Sequence, residues 1–169
     1  NQIDAVVIAA PAIRHYQLAE QALQAGKHVF VEKPLTLNPS DAEELMHLSK
    51  QSGKVLMVGH LLLYHPAIKK IKELISSGEL GDLYYAYAQR VNLGKVRSDE
   101  NALWSFAPHD ISVLLYLLDG FPDSVAARGG SYLQNGVEDV VFVNMQFPNK
   151  CMAQIQVSWL DPRKQRQLT

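Results

Sequence analysis

Three short apolar runs, Ala5-Val6-Val7-Ile8-Ala9, His28-Val29-Phe30-Val31 and Val55-Leu56-Met57-Val58, are separated by stretches of helical period. Runs this short that do not alternate polar with apolar residues suit strands buried on both faces, and crossover helices between parallel strands supply that cover. The intervening stretches have the required pattern. In 16–25, Leu18 with Ala22 and Ala19 with Leu23 fall four apart, and Gly26 stands where a helix stops. Ser40, with Glu43 three residues on, predicts the start of a second helix that Gly53 closes. Pro66 suits a first helical position, Ile68, Ile71, Leu74 and Ile75 make the stripe of a third helix, and Gly78 ends it.

Beyond Gly81 the texture changes. Residues 83–91 read as a tyrosine-rich strand, 92–101 as a polar loop, and Pro108 as the opening of a helix. That helix is expected to bury Ile111, Leu114, Leu115 and Leu118 and to stop at Gly120. Strands are expected at 124–133, 139–146 and 151–159, the last two joined by Pro148-Asn149-Lys150. Alternation of strand and helix thus gives way to mostly antiparallel strands with one helix, an α/β part followed by an α+β part, with the changeover at 61–64. Both ends of the chain read as cut: the first strand starts almost at Asn1, and 159–169 stop with no helix or cap.

Composition narrows the function classes. Sixteen Lys and Arg against seventeen Asp and Glu leave no basic excess for nucleic acid or an anionic membrane. No apolar run approaches the roughly 20 residues of a bilayer span, and no charged-then-apolar leader opens the chain. Cys151 is the single cysteine, which leaves no internal disulfide and no thiolate metal cage, and Asn38-Pro39-Ser40 carries the proline that forbids glycosylation. A cytoplasmic protein is the expectation.

Ligands of open α/β sheets gather beyond the carboxyl ends of the strands. The first end carries Ala9-Ala10-Pro11 and then His15, small residues that let a ligand approach the backbone or simply make a tight turn. The second carries Glu32-Lys33-Pro34, an ammonium and a carboxylate before an X-Pro bond, either a defined polar site or a surface ion pair. The third carries Gly59-His60, more readily a half-buried histidine donating to a backbone carbonyl than a catalytic group. In the second half, Trp104-Ser105-Phe106-Ala107-Pro108-His109-Asp110 places His109 in the first turn of the expected helix, where the macrodipole disfavours imidazolium. A neutral imidazole there can act as a base. His109 is also expected to share a face with Val113 and Tyr116, away from the core stripe, while Asp110 reads as an ordinary first-turn acid. His60 and His65 lack zinc-helix spacing, and no nucleophile elbow or phosphate loop is present, so no metal is expected.

The segments Asp4-Ala5-Val6-Val7-Ile8-Ala9-Ala10-Pro11 with His15, Ala22-Leu23-Gln24-Ala25-Gly26-Lys27-His28-Val29-Phe30-Val31-Glu32-Lys33-Pro34-Leu35, and Val58-Gly59-His60 together resemble the glucose-fructose oxidoreductase, inositol dehydrogenase and MocA family of sugar oxidoreductases. Residues 103–119 and 158–164 look most like its nucleotide-sugar branch, such as UDP-N-acetylglucosamine-type 3-dehydrogenases. The resemblance implies that 1–62 are the C-terminal portion of a Rossmann domain without its glycine loop. It implies that 63–169 are an α+β substrate and oligomerisation domain, truncated at its end. It also implies NAD or NADP as cofactor, a sugar or nucleotide-sugar substrate, hydride transfer at a ring hydroxyl or keto carbon, and a homo-oligomer through the C-terminal sheet. Lys33 and His109 would be the catalytic pair, facing each other across one cleft. Ala9, Ala10, Pro11, His15, Glu32, Lys33, Pro34 and His60 would line the cofactor. Ser105 departs from the family pattern, which commonly has an aspartate four residues before the histidine. The isolated chain would then have little dehydrogenase activity, and a non-catalytic cofactor-sensing or oligomerisation module is the competing reading.

Overall fold

In the computed structural model, residues 3–94, 96–98, 100–148 and 150–169 are described, and the chain divides into two compact units, Asn1–His60 and Leu61–Thr169. In the first, β1 (Ala5–Ile8), β2 (His28–Val31) and β3 (Leu56–Val58) form a parallel sheet in that order. Helices α1 (His15–Gln24) and α2 (Pro39–Ser52) connect them and cover one face, with Ile8, Val29 and Val31; the other face is open, Val7 being 71% and Met57 38% exposed, so the expected burial on both faces is met on one only. Ala19, Leu23 and Leu45 are fully buried with Val29 and Val31, and each leucine contributes about 1.5–3 kcal/mol by leaving water. Leu18 does not join them. It is 38% exposed and lies along the β1 edge with Val7, so only Ala19, Ala22 and Leu23 of the expected stripe are buried.

Helix α2 begins differently from expectation. Asn38, rather than Ser40, is its cap: the Asn38 carboxamide oxygen accepts from the Ser40 amide at 3.2 Å. Pro39 takes the first helical position, where a missing N–H costs nothing. At the other end Gly53 has φ 62°, the left-handed conformation expected of a helix stop.

The second unit opens with a 3-10 turn at Leu61–Tyr64 and helix α3 (Pro66–Ser76), then β4 (Tyr85–Val91), α4 (Ala102–Leu117), β5 (Ser124–Gly130), β6 (Val140–Gln146), β7 (Met152–Ser158) and β8 (Gln165–Leu168). The strands lie in the order β5-β6-β7-β4-β8, antiparallel except for β4 with β7. One face, with Ala88, Val143, Ile155 and Val157, packs on α4 to form the core. The segment 159–169, expected to hold no helix or cap, contains an edge strand that the sequence reading does not include: Gln165 to Leu168 pair with Val91 to Ala88. Asn149, in the expected turn between β6 and β7, lies outside the described residues.

Helix α4 starts six residues earlier than expected and holds Pro108 in its interior. Asn101 caps it, accepting from the Trp104 amide at 3.0 Å, so the amides ahead of the proline already have a helical start. His109 is therefore mid-helix, and the first-turn macrodipole argument does not apply to it. Val113 is 3% exposed and part of the buried side, which removes the distinct open face expected for His109, Val113 and Tyr116. Leu114 is fully buried, Ile111, Leu115 and Leu118 only partly so, and Asp119 at φ 53°, rather than Gly120, turns the chain out of the helix.

Candidate functional site

The parallel register brings the carboxyl ends of β1, β2 and β3 to one edge of the first unit. Ala9 and Pro11 are exposed there and Ala10 is half-buried. Glu32 continues the ladder, its amide donating to the Ile8 carbonyl at 2.9 Å, and Gly59 does the same to Val31 at 2.8 Å. Lys33 follows, half-buried, and the Lys33–Pro34 peptide is cis. The loop is anchored further on by Thr36, which is 5% exposed and donates its hydroxyl to the Asn38 carbonyl at 2.7 Å.

Close packing at the third end explains Gly59. A Cβ there would stand 3.2 Å from the Phe30 ring and 3.4 Å from the Glu32 carboxylate, so a side chain would push both away. His60 is next, and burial lowers its pKa from 6.5, which keeps the imidazole neutral at neutral pH. Its Nδ1 is buried without a hydrogen-bond partner among the described residues. A neutral imidazole nitrogen left in that state is an available donor or acceptor for a polar ligand.

His15 lies beneath this edge. It is 1% exposed, and its ring nitrogens contact two backbone carbonyls, Nδ1 that of Pro34 at 2.7 Å and Nε2 that of Ala10 at 2.8 Å. Both polar atoms of the ring are thus engaged by the protein itself, at the ends of β1 and β2. Ala9, Ala10, Pro11, Glu32, Lys33, Pro34 and His60 are brought to this one edge; His15 supports it from below.

In the second unit the candidate residues lie along α4. His109 and Ser105 are half-buried there, and the hydroxyl of Ser112 donates to the His109 carbonyl at 2.9 Å. Asp110 is no first-turn acid. Both of its oxygens accept from Arg90 on β4, at 2.7 Å from Nε and 2.8 Å from Nη2, with side chains 12% and 11% exposed. The N-terminal end of α4 is tied to the segment before β6 as well. The Asn101 carboxamide donates to Glu138 at 2.7 Å, and the Ala102 amide donates to the Glu138 carbonyl at 2.9 Å. Next to it, fully buried Asp139 accepts from the amides of Tyr132 and Leu133 at 2.5 and 2.8 Å.

Sequence reasoning missed Arg90, Asn101, Glu138 and Asp139. The available signals were an arginine near the end of an otherwise uncharged strand and an asparagine three residues before Trp104. The opposite face of the five-stranded sheet carries a groove of about 460 Å³ that includes Tyr85, Tyr87, Asn144 and Gln154. Tyr87 and Gln89 both donate to the Gln156 carboxamide, at 2.8 and 3.0 Å. Among the described residues no helix is long and apolar enough to cross a membrane, and no cluster of three or more His, Cys, Asp or Glu could hold a metal.

Residues 1–60 match the oxidoreductase family model with the NAD-binding Rossmann fold, GFO/IDH/MocA, and residues 68–169 match the GFO/IDH/MocA C-terminal domain. An uncharacterized oxidoreductase of Streptococcus pneumoniae serotype 4 is 30% identical over 167 residues, 90% of this chain and 46% of that protein. UDP-N-acetylglucosamine 3-dehydrogenase of Acidithiobacillus ferrooxidans is 34% identical over 129 residues, 76% of this chain and 40% of its own length. A solved structure of that enzyme superposes with a TM-score of 0.85 at 30% identity, covering 98% of this chain and 51% of the other. An oxidoreductase from Pseudomonas syringae gives 0.89 at 26% identity, over 97% of this chain and 46% of the other. The chain spans about half the length of the curated relatives it matches. The two matched models together cover nearly the whole chain, and the chain belongs to the GFO/IDH/MocA oxidoreductase family.

Proposed function

We propose that this chain is part of an NAD(P)-dependent oxidoreductase that moves a hydride between nicotinamide and a ring hydroxyl or keto carbon of a sugar or nucleotide sugar. The observation that carries the proposal is the convergence of Ala9-Ala10-Pro11, Lys33-Pro34 and Gly59-His60 on one edge of a parallel sheet. That edge fits a dinucleotide's polar groups: small residues leave backbone accessible, Lys33 supplies an ammonium, and the His60 Nδ1 is a buried polar atom without a partner among the described residues. Ala9, Ala10, Pro11, Glu32, Pro34 and His60 would line the cofactor, and His15 would act from beneath through the backbone. The nicotinamide, when bound, supplies the hydride acceptor for alcohol oxidation or the donor for the reverse reaction.

The hydroxyl proton is the protein's task. When a secondary alcohol becomes a ketone, the carbon loses a hydride and the oxygen loses a proton to a base. Lys33 is the leading group to hold or receive that proton, and its charged form orients the substrate oxygen. His109 is the second candidate for proton handling. Ser105 offers a neutral hydroxyl where many family members have an aspartate, so it cannot polarise a histidine as a carboxylate would. A sugar-nucleotide substrate is supported by the 34% identity to the UDP-N-acetylglucosamine 3-dehydrogenase. A homo-oligomer through the open face of the second sheet, and a cytoplasmic location, complete the proposal.

The test is hydride transfer by the full-length protein, followed by NADH absorbance with free sugars and UDP-sugars. Turnover with at least one of them, reduced about a hundredfold or more by Lys33→Ala, is expected from removing an acid–base group. Wild-type turnover in Lys33→Ala would sink the assignment of Lys33. Absence of turnover with bound cofactor would favour the non-catalytic module, for which neutral Ser105 is the supporting observation.

A further inference from the structure

The ring of His15 contacts two atoms that can only accept. A backbone carbonyl has no proton, so a hydrogen bond to Pro34 O at 2.7 Å requires Nδ1–H, and one to Ala10 O at 2.8 Å requires Nε2–H. A neutral imidazole carries one of these protons and would set a nitrogen lone pair against a carbonyl lone pair at the other contact. We infer that His15 is a buried imidazolium whose two N–H groups clamp the ends of β1 and β2, making it a positioning residue for Lys33.

Several features bear on that charge. The ring is 1% exposed, so water does not satisfy a second nitrogen. Among the described residues no carboxylate forms an ion pair with it; the two carbonyl dipoles are its compensation, and charge-assisted bonds are roughly twice as strong as neutral ones. The adjoining charged side chains along the chain are Arg14 before it and Glu32 and Lys33 before Pro34. As the first residue of α1, His15 stands at the helix end that disfavours a cation, so two short N–H···O bonds are the counterweight.

The consequence lies in the backbone. Pro34 has no amide hydrogen, and its carbonyl is fixed by His15, which holds the Pro34–Leu35 peptide, one residue beyond Lys33. The same ring holds Ala10, the middle of the Ala9-Ala10-Pro11 end. One side chain thus sets the spacing of two segments at the proposed cofactor edge. The effect on Lys33 deepens the function proposed above and rests on it for its catalytic meaning; the charge and the clamp do not.

Nitrogen-detected NMR of the histidine rings in the 15N-labelled chain at neutral pH reads the protonation directly. Both His15 ring nitrogens bearing protons is the expected result, and one unprotonated His15 nitrogen would overturn the assignment. The second measurement follows the Lys33 Cε resonance in His15→Gln, with Leu45→Ala as a control that weakens the same core without touching the clamp. A shifted Lys33 signal in folded His15→Gln, absent from Leu45→Ala, is expected; an unmoved signal, or an equal shift in both, would overturn the positioning role. If His15→Gln does not fold, the ring measurement on the wild-type chain still decides. Neither readout uses turnover, so failure of the proposed function and failure of this inference are distinguishable.

Discussion

Arg90 and Asp110 meet as a two-pronged ion pair, Nε to one carboxylate oxygen at 2.7 Å and Nη2 to the other at 2.8 Å, and Asp110 is the next residue after His109. The pair joins β4 to the middle of α4 and lies close to the turn interrupted by Pro108. It therefore fixes the rotation of the helix segment that carries His109.

Removing one partner leaves the other charge buried. Asp110→Ala should lower stability by about 3–5 kcal/mol, the cost typical of breaking a buried pair. Replacing both residues together, Arg90→Met with Asp110→Leu, should recover most of that loss. Urea unfolding of the three variants checks both statements, and equal loss in single and double variants would count against the pair as the cause.

Asn101 is bonded at both ends of its carboxamide, to the Trp104 amide and to Glu138. Asn101→Ala removes the cap and strips Glu138 of its donor, for an expected loss of about 1–3 kcal/mol. Asn101→Asp keeps the cap acceptor but sets a carboxylate against Glu138. It should fall between wild type and the alanine variant at low salt and approach wild type as salt rises, which thermal unfolding at two ionic strengths would resolve.

His60 makes the chain acid-sensitive. Its folded pKa lies below the ordinary 6.5 because burial disfavours the charged ring. As pH falls through 6.5 the unfolded chain takes up a proton that the folded chain refuses, so folding free energy declines from there down to the folded value and is undiminished above 6.5. His60→Asn should flatten that part of the stability curve, read by urea unfolding between pH 5 and 7.5.

Cys151 is 1% exposed and its thiol pKa is raised by burial. The thiolate is the reactive form, so alkylation of the folded chain should be at least about a hundredfold slower than in denaturant. Iodoacetamide labelling followed by mass spectrometry measures the ratio. Comparable rates in both states would mean that the end of β6 and the start of β7 open readily.

The first unit was legible because its strands and helices each have a local signature: Val29 and Val31 sit in a short apolar run, and Ala19 and Leu23 recur at helical spacing. Lys33, Pro34 and His60 stand at the edge of the sheet because they follow those runs directly. The errors came where two local rules compete. Asn38 and Ser40 are both good caps, and Pro39 decides between them by needing a position without an amide partner. Pro108 resembled a helix start, yet the Asn101 cap had already begun the helix. Strand β8 has no apolar signature, because Gln165, Arg166 and Gln167 form an exposed edge held by backbone bonds to β4. Arg90 with Asp110, and His15 with Ala10 and Pro34, depend on contacts between distant elements that no spacing rule encodes.

The parallel pairing of β4 with β7 has a consequence for assembly. Gln89 and Gln156, neighbours across that pair, are 67 residues apart in sequence, and β8 docks on the far side of β4 later still. Strands β5, β6 and β7 can zip together as local hairpins, but β4 must wait for β7 to emerge before it has a partner on either side. During synthesis its tyrosine-rich segment is exposed while α4, β5 and β6 are made. Long-range closure of this kind slows folding and leaves unpaired strand edges available to other chains. Refolding of the second unit should accordingly be slower than that of the first, and aggregation during refolding should rise with chain concentration.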